Sequence, residues 1–244
     1  MSELFHLNPD IDRDATKRAL ARHGFARVPD ILAPEGAERL TECLDKELDY
    51  SLTYFDGQAA RIVEPEELRR TSPEQRRALN EFLMRQARED FSYLFEIYPL
   101  EEAVREGRDR HLVIHDFHRF LHSEAMLEFI RTVTGEPGIG GADTQVSRFG
   151  PGHYLNYHDD LVENEDRVVA FVFSMTRRWL PDWGGYLQFY DPDGRGGVGL
   201  RPGFNCLHLF LVPRPHAVTW VTPIAQARRL AISGWYRRDK QPAA

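Results

Sequence analysis

The alternation of hydrophobic and polar positions changes character near residue 142. Before that point, apolar residues recur at the spacing of amphipathic helices. In "APEGAERLTECLDKEL", Leu40, Leu44 and Leu48 lie four residues apart and share one helical face. In "DRDATKRALARHG", Asp and Thr stand at the head of a predicted helix and Gly24 at its end, a pair of caps that suits a helix. Residues 1–140 are therefore predicted to be mainly helical.

Two short segments interrupt this helical part. "FARVPDIL" is predicted as a short strand, and "SLTYFDGQAARIV" as a hairpin, because an Asp-Gly turn separates two extended runs. Helical patterns return in "TSPEQRRALNEFLMRQAREDFSYLFEIY" and in "DFHRFLHSEAMLEFIRTVTG", which ends at Gly135. The N-terminal part thus predicts several helices with a few short strands among them.

From about residue 142 onward, the sequence consists of short extended runs without helical patterns between them. The eight runs are "TQVSRF", "YLNYHD", "RVVAFVFSM", "GYLQFY", "GVGLR", "NCLHLFLV", "HAVTWV" and "RRLAISGWY". Turn clusters such as "GPG", "DPDGRGG" and "RPG" separate them. Many short strands in succession predict a sandwich, a jelly roll or a barrel. We therefore expect an α+β protein of one domain, residues 1–244, in which the mostly helical residues 1–140 support a β-core at 141–240.

Composition and charge remove several classes of function. With 42% hydrophobic and 28% charged residues, the chain has the composition of an ordinary globular protein. Its formal net charge of −7 argues against a protein that coats nucleic acid, since such proteins are normally basic. Cys43 and Cys206 lie far apart, which excludes a disulfide scaffold and a thiolate zinc site and suits a reducing cytosol. Without an apolar run of about 18 residues, we expect no membrane span and a cytoplasmic location.

The segment "NYHDDLVENE", residues 156–165, holds the first candidate for chemistry. Along a strand, residues two apart share a face, so His158 and Asp160 are predicted to point the same way and Asp159 the other way. An imidazole and a carboxylate on one face are two thirds of the 2-His-1-carboxylate set that binds non-haem Fe(II). The alternative is a turn aspartate beside a surface histidine, because His-x-Asp alone is a weak signal.

A third ligand and an anion-binding residue occur farther along the chain. His216 opens a strand directly after the Pro-x-Pro turn in "VPRPHAVTWV", which places it at one mouth of a barrel. Arg229 heads the last strand, and its guanidinium could hold a carboxylate with two hydrogen bonds, which lysine cannot match. Its neighbour Arg228 could instead be the arginine that faces inward.

The order His-x-Asp, distal His and final-strand Arg resembles the 2-oxoglutarate- and Fe(II)-dependent dioxygenases. More narrowly, "YLNYHDD", "RVVAFVFSMTRRWLPDWGGYLQFYD", "FLVPRPHAV" and "RRLAISGWYR" resemble the prolyl-4-hydroxylase-like branch that includes the ribosomal-protein prolyl hydroxylases. The resemblance covers about residues 145–237. It implies a double-stranded β-helix core, a jelly-roll barrel with the metal inside one mouth.

The resemblance also implies roles for individual residues. His158, Asp160 and His216 would be the catalytic iron ligands, and Arg229 would bind the distal carboxylate of 2-oxoglutarate. The cofactors would be Fe(II), 2-oxoglutarate and O2, with ascorbate as a possible reductant. The reaction would couple oxidative decarboxylation of 2-oxoglutarate to hydroxylation of a substrate C–H bond. The favoured substrate is a prolyl residue in a protein such as a ribosomal protein or a translation factor.

The chain departs from the family pattern around the cosubstrate carboxylate. Many relatives have tyrosines where this chain has Phe149 and Ser174, and a hydroxyl where it has Ala231. Asn156, on the same predicted strand face as His158, or Tyr154 could supply the missing hydrogen bond. A further group at helical spacing, His115, His118 and His122, is interpreted as a helix face that packs on the barrel, in preference to a second metal site.

Three alternatives remain open from the sequence. The substrate could be a free amino acid or another small molecule. The protein could be a non-catalytic jelly-roll module that binds a metal. It could also be a β-sandwich interaction protein without a metal, which would leave the ordered His-x-Asp, His and Arg set unexplained. No direct nucleic-acid partner is expected, and the sequence predicts no oligomeric state.

Overall fold

The protein is described by a computed structural model that covers residues 4–163, 165–191 and 193–239. Helices and strands are numbered in chain order. The helices of the described residues are α1 (Arg13–His23), α2 (Pro34–Lys46), α3 (Pro65–Arg70), α4 (Pro73–Glu89), α5 (Leu100–Glu106), α6 (Ile114–Leu121) and α7 (Glu124–Thr134). Its strands are β1 (Phe25–Pro29), β2 (Ser51–Phe55), β3 (Ala60–Val63), β4 (Tyr93–Tyr98), β5 (Ile139–Phe149), β6 (Tyr154–His158), β7 (Arg167–Ser174), β8 (Leu187–Tyr190), β9 (Gly197–Leu200), β10 (Cys206–Leu211), β11 (His216–Val218) and β12 (Arg229–Arg238).

The strands form one antiparallel sheet in the order β1-β10-β7-β12-β5-β4-β6-β11-β8-β9, and the β2–β3 hairpin joins it at β4. The sheet is curled, since strands far apart in this order contribute side chains to one cavity, for example Val172 of β7 and Val218 of β11. All eight extended runs predicted after residue 142 are strands, and so are the predicted β1 and the β2–β3 hairpin. The interior of this curled sheet is where the candidate site lies.

One strand of the sheet was missed by the sequence prediction. The segment "SYLFEIY" was included in a helical stretch, but α4 ends at Glu89 and the chain then forms β4. β4 pairs with β2, β5 and β6 and is the link between the two halves of the curled sheet. The strand is six residues long and half-buried, so its pattern was hidden behind the 17-residue amphipathic helix that precedes it. Residues 1–140 therefore supply part of the β-sheet as well as the helices.

Helices α1, α2, α5, α6 and α7 pack on the sheet through a shared hydrophobic core, while α4 packs separately against Leu94 and Tyr154. This core runs from Phe5 to Tyr236 and contains residues of both halves of the chain. Phe117 of α6 meets Phe173 of β7 edge to face, with ring centroids 5.2 Å apart, an arrangement that aromatic pairs favour. This core therefore combines residues of the helical part and of the β-core. In the part of the chain that is described, no helix is long and apolar enough to cross a membrane.

The predicted caps fix the first helix in place. The side chain of Asp12 accepts a hydrogen bond from the backbone N–H of Ala15, and Gly24 ends the helix in the left-handed conformation at φ 70°. These are the two ends at which a helix leaves backbone groups without partners. The chain then turns directly into β1, which pairs with β10.

Candidate metal centre

A cavity of about 60 Å³ lies inside the curled sheet and collects the predicted site residues. Its walls are mainly apolar and aromatic, with Phe95, Phe149, Phe171 and Phe210 among them. Its polar lining consists of His158, Asp160, His216, Arg229, Gln145, Ser147 and Ser233. A mostly apolar pocket with a few convergent polar groups is the usual form of a small-molecule or cofactor site.

His158, Asp160 and His216 converge at one point of this cavity. Nε2 of His158 lies 3.3 Å from one oxygen of Asp160, and Nε2 of His216 lies 3.5 Å from the other oxygen. All three donor atoms lie within 4.8 Å of one another, and this is the only such cluster in the described residues. Metal bonds of about 2.1 Å at right angles would separate two donors by about 3 Å, so the set suits one ion. Two imidazoles and one carboxylate are the donor types of a non-haem Fe(II) site with open positions.

Both histidines are held in the tautomer that a metal requires. Nδ1 of His158 donates a hydrogen bond to the backbone carbonyl of Asn156 at 2.8 Å, and Nδ1 of His216 donates to that of Arg214, also at 2.8 Å. Since the proton of a neutral imidazole is then on Nδ1, the lone pair is on Nε2, which faces Asp160. The orientation of both rings is thus fixed by the protein itself.

The backbone brings His158 and Asp160 together by a route that the sequence did not predict. β6 ends at His158, and Asp160 follows in the left-handed region at φ 63°, which is unusual for a residue other than glycine. The two side chains therefore do converge, but the reason given from the sequence, alternation along one strand, was wrong. A turn directs the carboxylate of Asp160 to Nε2 of His158.

A bulge also changes which side chains of β6 face the cavity. His216 pairs with His158 and Val218 with Leu155, so three residue steps on β6 oppose two on β11. Leu155 and His158 consequently both line the cavity, although they are an odd number of residues apart. The prediction that Asn156 shares the cavity face of His158 is wrong for this reason.

The structure does not bring Asn156 or Tyr154 to the cavity. Nδ2 of Asn156 points to the carbonyl of Ala87 at the end of α4, at 3.5 Å. The hydroxyl of Tyr154 is 2.7 Å from that of Ser92, and its ring stacks on Trp220 with centroids 3.8 Å apart. Tyr154 lines a second cavity of about 470 Å³ beneath α4. Neither side chain is therefore placed to hydrogen-bond a ligand beside Arg229.

The electrostatics of the site favour a charged Asp160 and a neutral His216. Burial works to raise the pKa of Asp160, but its interactions with the imidazoles of His158 and His216 outweigh burial and hold that pKa below its usual value. Burial, with a further contribution from His158, lowers the pKa of His216 to about 4. A carboxylate and a neutral imidazole are the protonation states that bind metal.

Arg229 is a buried cation without a counter-ion. Its side chain opens into the cavity, the residue is 4% exposed, and its guanidinium carbon lies 4.9 Å from the centre of the Phe149 ring. Burial alone lowers its pKa to about 10, and none of the described carboxylates offsets this. An uncompensated buried charge is costly, so a site that keeps one is built for an anion. Arg228, the alternative at the sequence level, lines the second cavity instead.

Several cavity residues were not singled out from the sequence. Gln145 and Ser147 alternate along β5, and Ser233 and Trp235 continue the face that Arg229 begins on β12. Ser233 pairs with Gln145 across the two strands. The signal was present, because counting by twos from Arg229 reaches Ser233 and Trp235. Only the pairing of β12 with β5 shows that Gln145 and Ser147 line the same cavity as Ser233 and Trp235.

The structure shows the surroundings of Phe149, Ser174 and Ala231, the positions at which this chain departs from the family pattern. Phe149 forms the aromatic surface beneath Arg229. The hydroxyl of Ser174 donates to the carbonyl of Gly203 at 2.8 Å and is used for the fold. Ala231 is buried among apolar residues of β7, β8 and β10. The hydroxyls that the cavity does offer are those of Ser147 and Ser233.

The histidines of α6 pack as the sequence analysis expected. His118 is 3.2 Å from a carboxylate oxygen of Glu101, and His122 bonds to the carbonyls of His118 and Ala142. His115 is buried at the start of the helix. They do not converge with a carboxylate into a second metal set in the described part of the chain.

The comparison with protein families agrees with this site. Residues 144–237 match the sequence model of the 2OG-Fe(II) oxygenase superfamily. The match extends from β5 to β12 and includes His158, Asp160, His216 and Arg229. No curated protein sequence matches the chain.

Solved structures with the same fold are distant in sequence. A prolyl hydroxylase from Trichoplax adhaerens, in complex with a hypoxia inducible factor oxygen degradation domain peptide fragment, is 21% identical, with 93% of this chain and 89% of that chain covered and a TM-score of 0.60. A 2OG-Fe(II) oxygenase family oxidoreductase from Burkholderia pseudomallei is 15% identical, with 98% and 97% covered and a TM-score of 0.59. The non-heme alpha ketoglutarate dependent epimerase SnoN from nogalamycin biosynthesis is 12% identical, with 93% and 82% covered and a TM-score of 0.55. At these identities the likeness shows the shared fold alone.

Fold, site and family match together define the class of protein. The β-core has the double-stranded β-helix fold that the sequence resemblance predicted, and residues 144–237 of it match the model of the 2OG-Fe(II) oxygenase superfamily. The protein is an Fe(II)- and 2-oxoglutarate-dependent dioxygenase, with O2 as the further substrate. The narrower resemblance to the ribosomal-protein prolyl hydroxylases stays a prediction.

Proposed function

We propose that this dioxygenase hydroxylates a prolyl residue in a protein, such as a ribosomal protein or a translation factor. The observation that carries the oxygenase chemistry is that the His-Asp-His set and the uncompensated Arg229 share one buried cavity. The choice of a prolyl substrate is supported by the sequence resemblance and by the fold shared with a peptide-bound prolyl hydroxylase.

The surface beside the metal residues favours a large substrate over a small one. Tyr157, next to His158, is 59% exposed, and Leu161, next to Asp160, is 64% exposed. Exposed apolar side chains that adjoin a functional site commonly mark a contact with another protein. Asp159 and Glu163 of the same segment are acidic and would suit a basic stretch of the partner.

Each site residue has a defined task in the proposed reaction. Fe(II), when bound with 2-oxoglutarate and O2, supplies the oxidative decarboxylation that hydroxylates a C–H bond. His158, His216 and Asp160 hold the ion and leave its remaining positions open. Arg229 pairs with the distal carboxylate of 2-oxoglutarate, and this interaction is strong because the cavity is little screened by water. Phe149 and the other apolar walls exclude water from the reacting groups.

The oxygenase site is tested by anaerobic titration of the apoprotein with Fe(II) and 2-oxoglutarate. We expect a weak visible charge-transfer band that needs both additions and that is absent from His158→Ala. The substrate is then sought among proline-containing peptides of ribosomal proteins and translation factors, with matched peptides that carry alanine in place of proline. Mass spectrometry should find one added oxygen on the proline of a peptide. If peptides are never oxidised while the chelate forms, the prolyl assignment is wrong.

A second candidate is the hydroxylation of a free amino acid or another small molecule. The specific observation in its favour is that the fold is shared with SnoN, an epimerase from nogalamycin biosynthesis. Free proline and other amino acids belong in the same assay, because their turnover without peptide turnover would favour this candidate.

We propose a cytoplasmic location and no membrane contact. This rests on the two buried cysteines, which are not joined to each other, and on a site chemistry that needs reduced iron. Ascorbate is proposed as a reductant that keeps the iron in the Fe(II) state. Fractionation of expressing cells would test the location.

A further inference from the structure

An arginine outside the metal-binding set donates a hydrogen bond to the backbone of Asp160. Nη1 of Arg167, the first residue of β7, donates a hydrogen bond to the backbone carbonyl of Asp160 at 3.1 Å. The same guanidinium is paired with Glu165, with Nε and Nη2 both 2.7 Å from one carboxylate oxygen. The side chain of Arg167 is only 14% exposed. It therefore closes the loop between β6 and β7 at the position of the ligand.

The guanidinium also rests on the wall of the cavity. The guanidinium carbon of Arg167 lies 3.8 Å from the centre of the Trp235 ring, within the distance at which a cation is attracted to an aromatic face. Trp235 is on β12 and lines the cavity together with Asp160. Its Nε1 is buried and has no hydrogen-bond partner among the described residues. Trp235 thus joins the loop, through Arg167, to the strand that carries Arg229.

The hydrogen bond from Arg167 reaches a residue with an unfavourable backbone conformation. Asp160 has φ 63°, and a non-glycine residue in the left-handed region is strained unless its surroundings hold it there. The carbonyl that Arg167 binds belongs to this residue. On the other side, the backbone N–H of Arg214 donates to the carbonyl of Asp159 at 3.2 Å. The turn is held at both of its peptide groups.

We infer that Arg167, seated on Trp235 and Glu165, is a positioning residue that keeps the carboxylate of Asp160 in its metal-binding position. Its role is distinct from that of Arg229, which faces the cavity as an anion site. The inference rests on the proposed metal site and adds to it a residue that contacts neither metal nor cosubstrate.

The test is a titration of the apoprotein with Co(II), a non-oxidising substitute for Fe(II), followed by its visible absorption bands and by calorimetry. Arg167→Met should weaken Co(II) binding about 10- to 100-fold, the usual effect of removing a group that orients a metal ligand. Arg167→Lys, which keeps the charge and the pairing with Glu165, should lose less. Trp235→Leu removes the aromatic face beneath Arg167 and should lose a few-fold in affinity.

The matched control is Arg238→Met. Arg238 is an arginine of the same sheet that pairs with Glu136, and its side chain is 50% exposed. It should leave Co(II) affinity within about twofold of the wild type, because the substitution keeps the backbone contact of Arg238 and removes only an exposed side-chain pair with Glu136. The melting temperature of each apoprotein separates a loss of metal geometry from a loss of fold.

The outcomes distinguish this inference from the proposed function. If the wild-type protein binds no Co(II), the metal site itself is wrong. If the wild type binds Co(II), and both Arg167→Met and Arg167→Lys bind it with the wild-type affinity and unchanged absorption bands, the positioning role is overturned. Should Arg167→Met fail to fold, Arg167→Lys decides: a weakened affinity with an unchanged melting temperature supports the role, and wild-type affinity refutes it.

Discussion

His158 and His216 are directly paired across β6 and β11, with ring centroids 4.1 Å apart, and each ring donates its Nδ1 proton to the carbonyl two residues before it in the chain. The two Nε2 atoms are therefore aimed at Asp160 before any metal arrives. Because hydrogen bonds of the protein set this geometry, the donor set does not depend on an ion to form it. The predictions that follow concern this arrangement and its surroundings.

Loss of one imidazole should abolish the metal site without unfolding the protein. His158→Ala removes a donor that is 20% exposed at the edge of the cavity, so little of the core is lost. We expect at least a hundredfold loss of Fe(II) affinity and no detectable turnover, with a nearly unchanged circular dichroism spectrum. His111→Ala, an exposed histidine outside the site, is the control. Turnover by His158→Ala near the wild-type rate would refute the ligand assignment.

Removal of the metal should be reversible. Since the core and the ring orientations are formed by the chain itself, dialysis against a chelator should leave a folded apoprotein with the same near-ultraviolet spectrum. Addition of Fe(II) should restore activity and raise the melting temperature, because a ligand that binds only the folded state stabilises it. An apoprotein that loses its tertiary signal would show that the metal is structural.

Arg229 should govern 2-oxoglutarate binding. Truncating one partner of a buried charge pair costs about 2–5 kcal/mol, so Arg229→Met should raise the apparent KM for 2-oxoglutarate at least about 30-fold. Arg228→Met is a matched control, because Arg228 is the next residue in the chain and lines a different cavity. Normal cosubstrate kinetics in Arg229→Met would exclude the carboxylate role.

Arg229→Met should weaken cosubstrate binding without lowering the stability of the apoprotein. The guanidinium of Arg229 is buried and has no counter-ion among the described residues, so without cosubstrate it is an uncompensated charge. We expect the apoprotein of Arg229→Met to melt no lower than the wild type, and 2-oxoglutarate to stabilise only the wild type. Thermal unfolding with and without 2-oxoglutarate measures both effects, and a markedly less stable Arg229→Met apoprotein would contradict the account.

Acid should destabilise the fold through His208. Burial, with the charges of Arg229 and Arg27, lowers the pKa of His208 to about 3, while the unfolded chain has the ordinary value of about 6.5. The folded state favours the neutral ring, so this stability is complete above pH 6.5 and is lost as pH falls toward 3. At pH 5 the loss from this group is about 2 kcal/mol.

Urea unfolding of the wild type and of His208→Leu at pH 7 and pH 5 tests this expectation. The variant should lose about 2 kcal/mol less than the wild type between the two pH values. His111→Leu should keep the wild-type dependence, because this residue is exposed. Equal losses in the wild type and His208→Leu would assign the acid sensitivity to other groups.

Tyr154 should contribute to stability and leave cosubstrate binding unchanged. Its hydroxyl is 2.7 Å from that of Ser92 in a buried environment on the side of β6 away from the metal cavity. Tyr154→Phe removes this hydrogen bond and should cost about 1 kcal/mol of unfolding free energy. The apparent KM for 2-oxoglutarate should stay within about twofold of the wild type. A large rise in that KM would return Tyr154 to the cosubstrate site.

The sequence by itself determined the strands after residue 142, because alternation and turn residues report local backbone preference directly. Residue type and order also predicted His158, Asp160, His216 and Arg229 as site residues, and the structure brings all four to one cavity. The caps of α1 at Asp12 and Gly24 could also be predicted from the sequence, because a cap depends only on neighbouring residues.

Only the tertiary structure decided what depends on pairing between distant segments. The bulge opposite β11 turned Asn156 and Tyr154 away from the cavity, and a local count along β6 cannot include it, because a bulge is a property of two strands. The place of β4 between β5 and β6 likewise depends on partners more than 40 residues away in the chain. Arg167 contacts both Asp160 and Trp235, and Trp235 is brought to it by the pairing of β12 with β7. Residue type sets which groups can react, and long-range packing sets which of them meet.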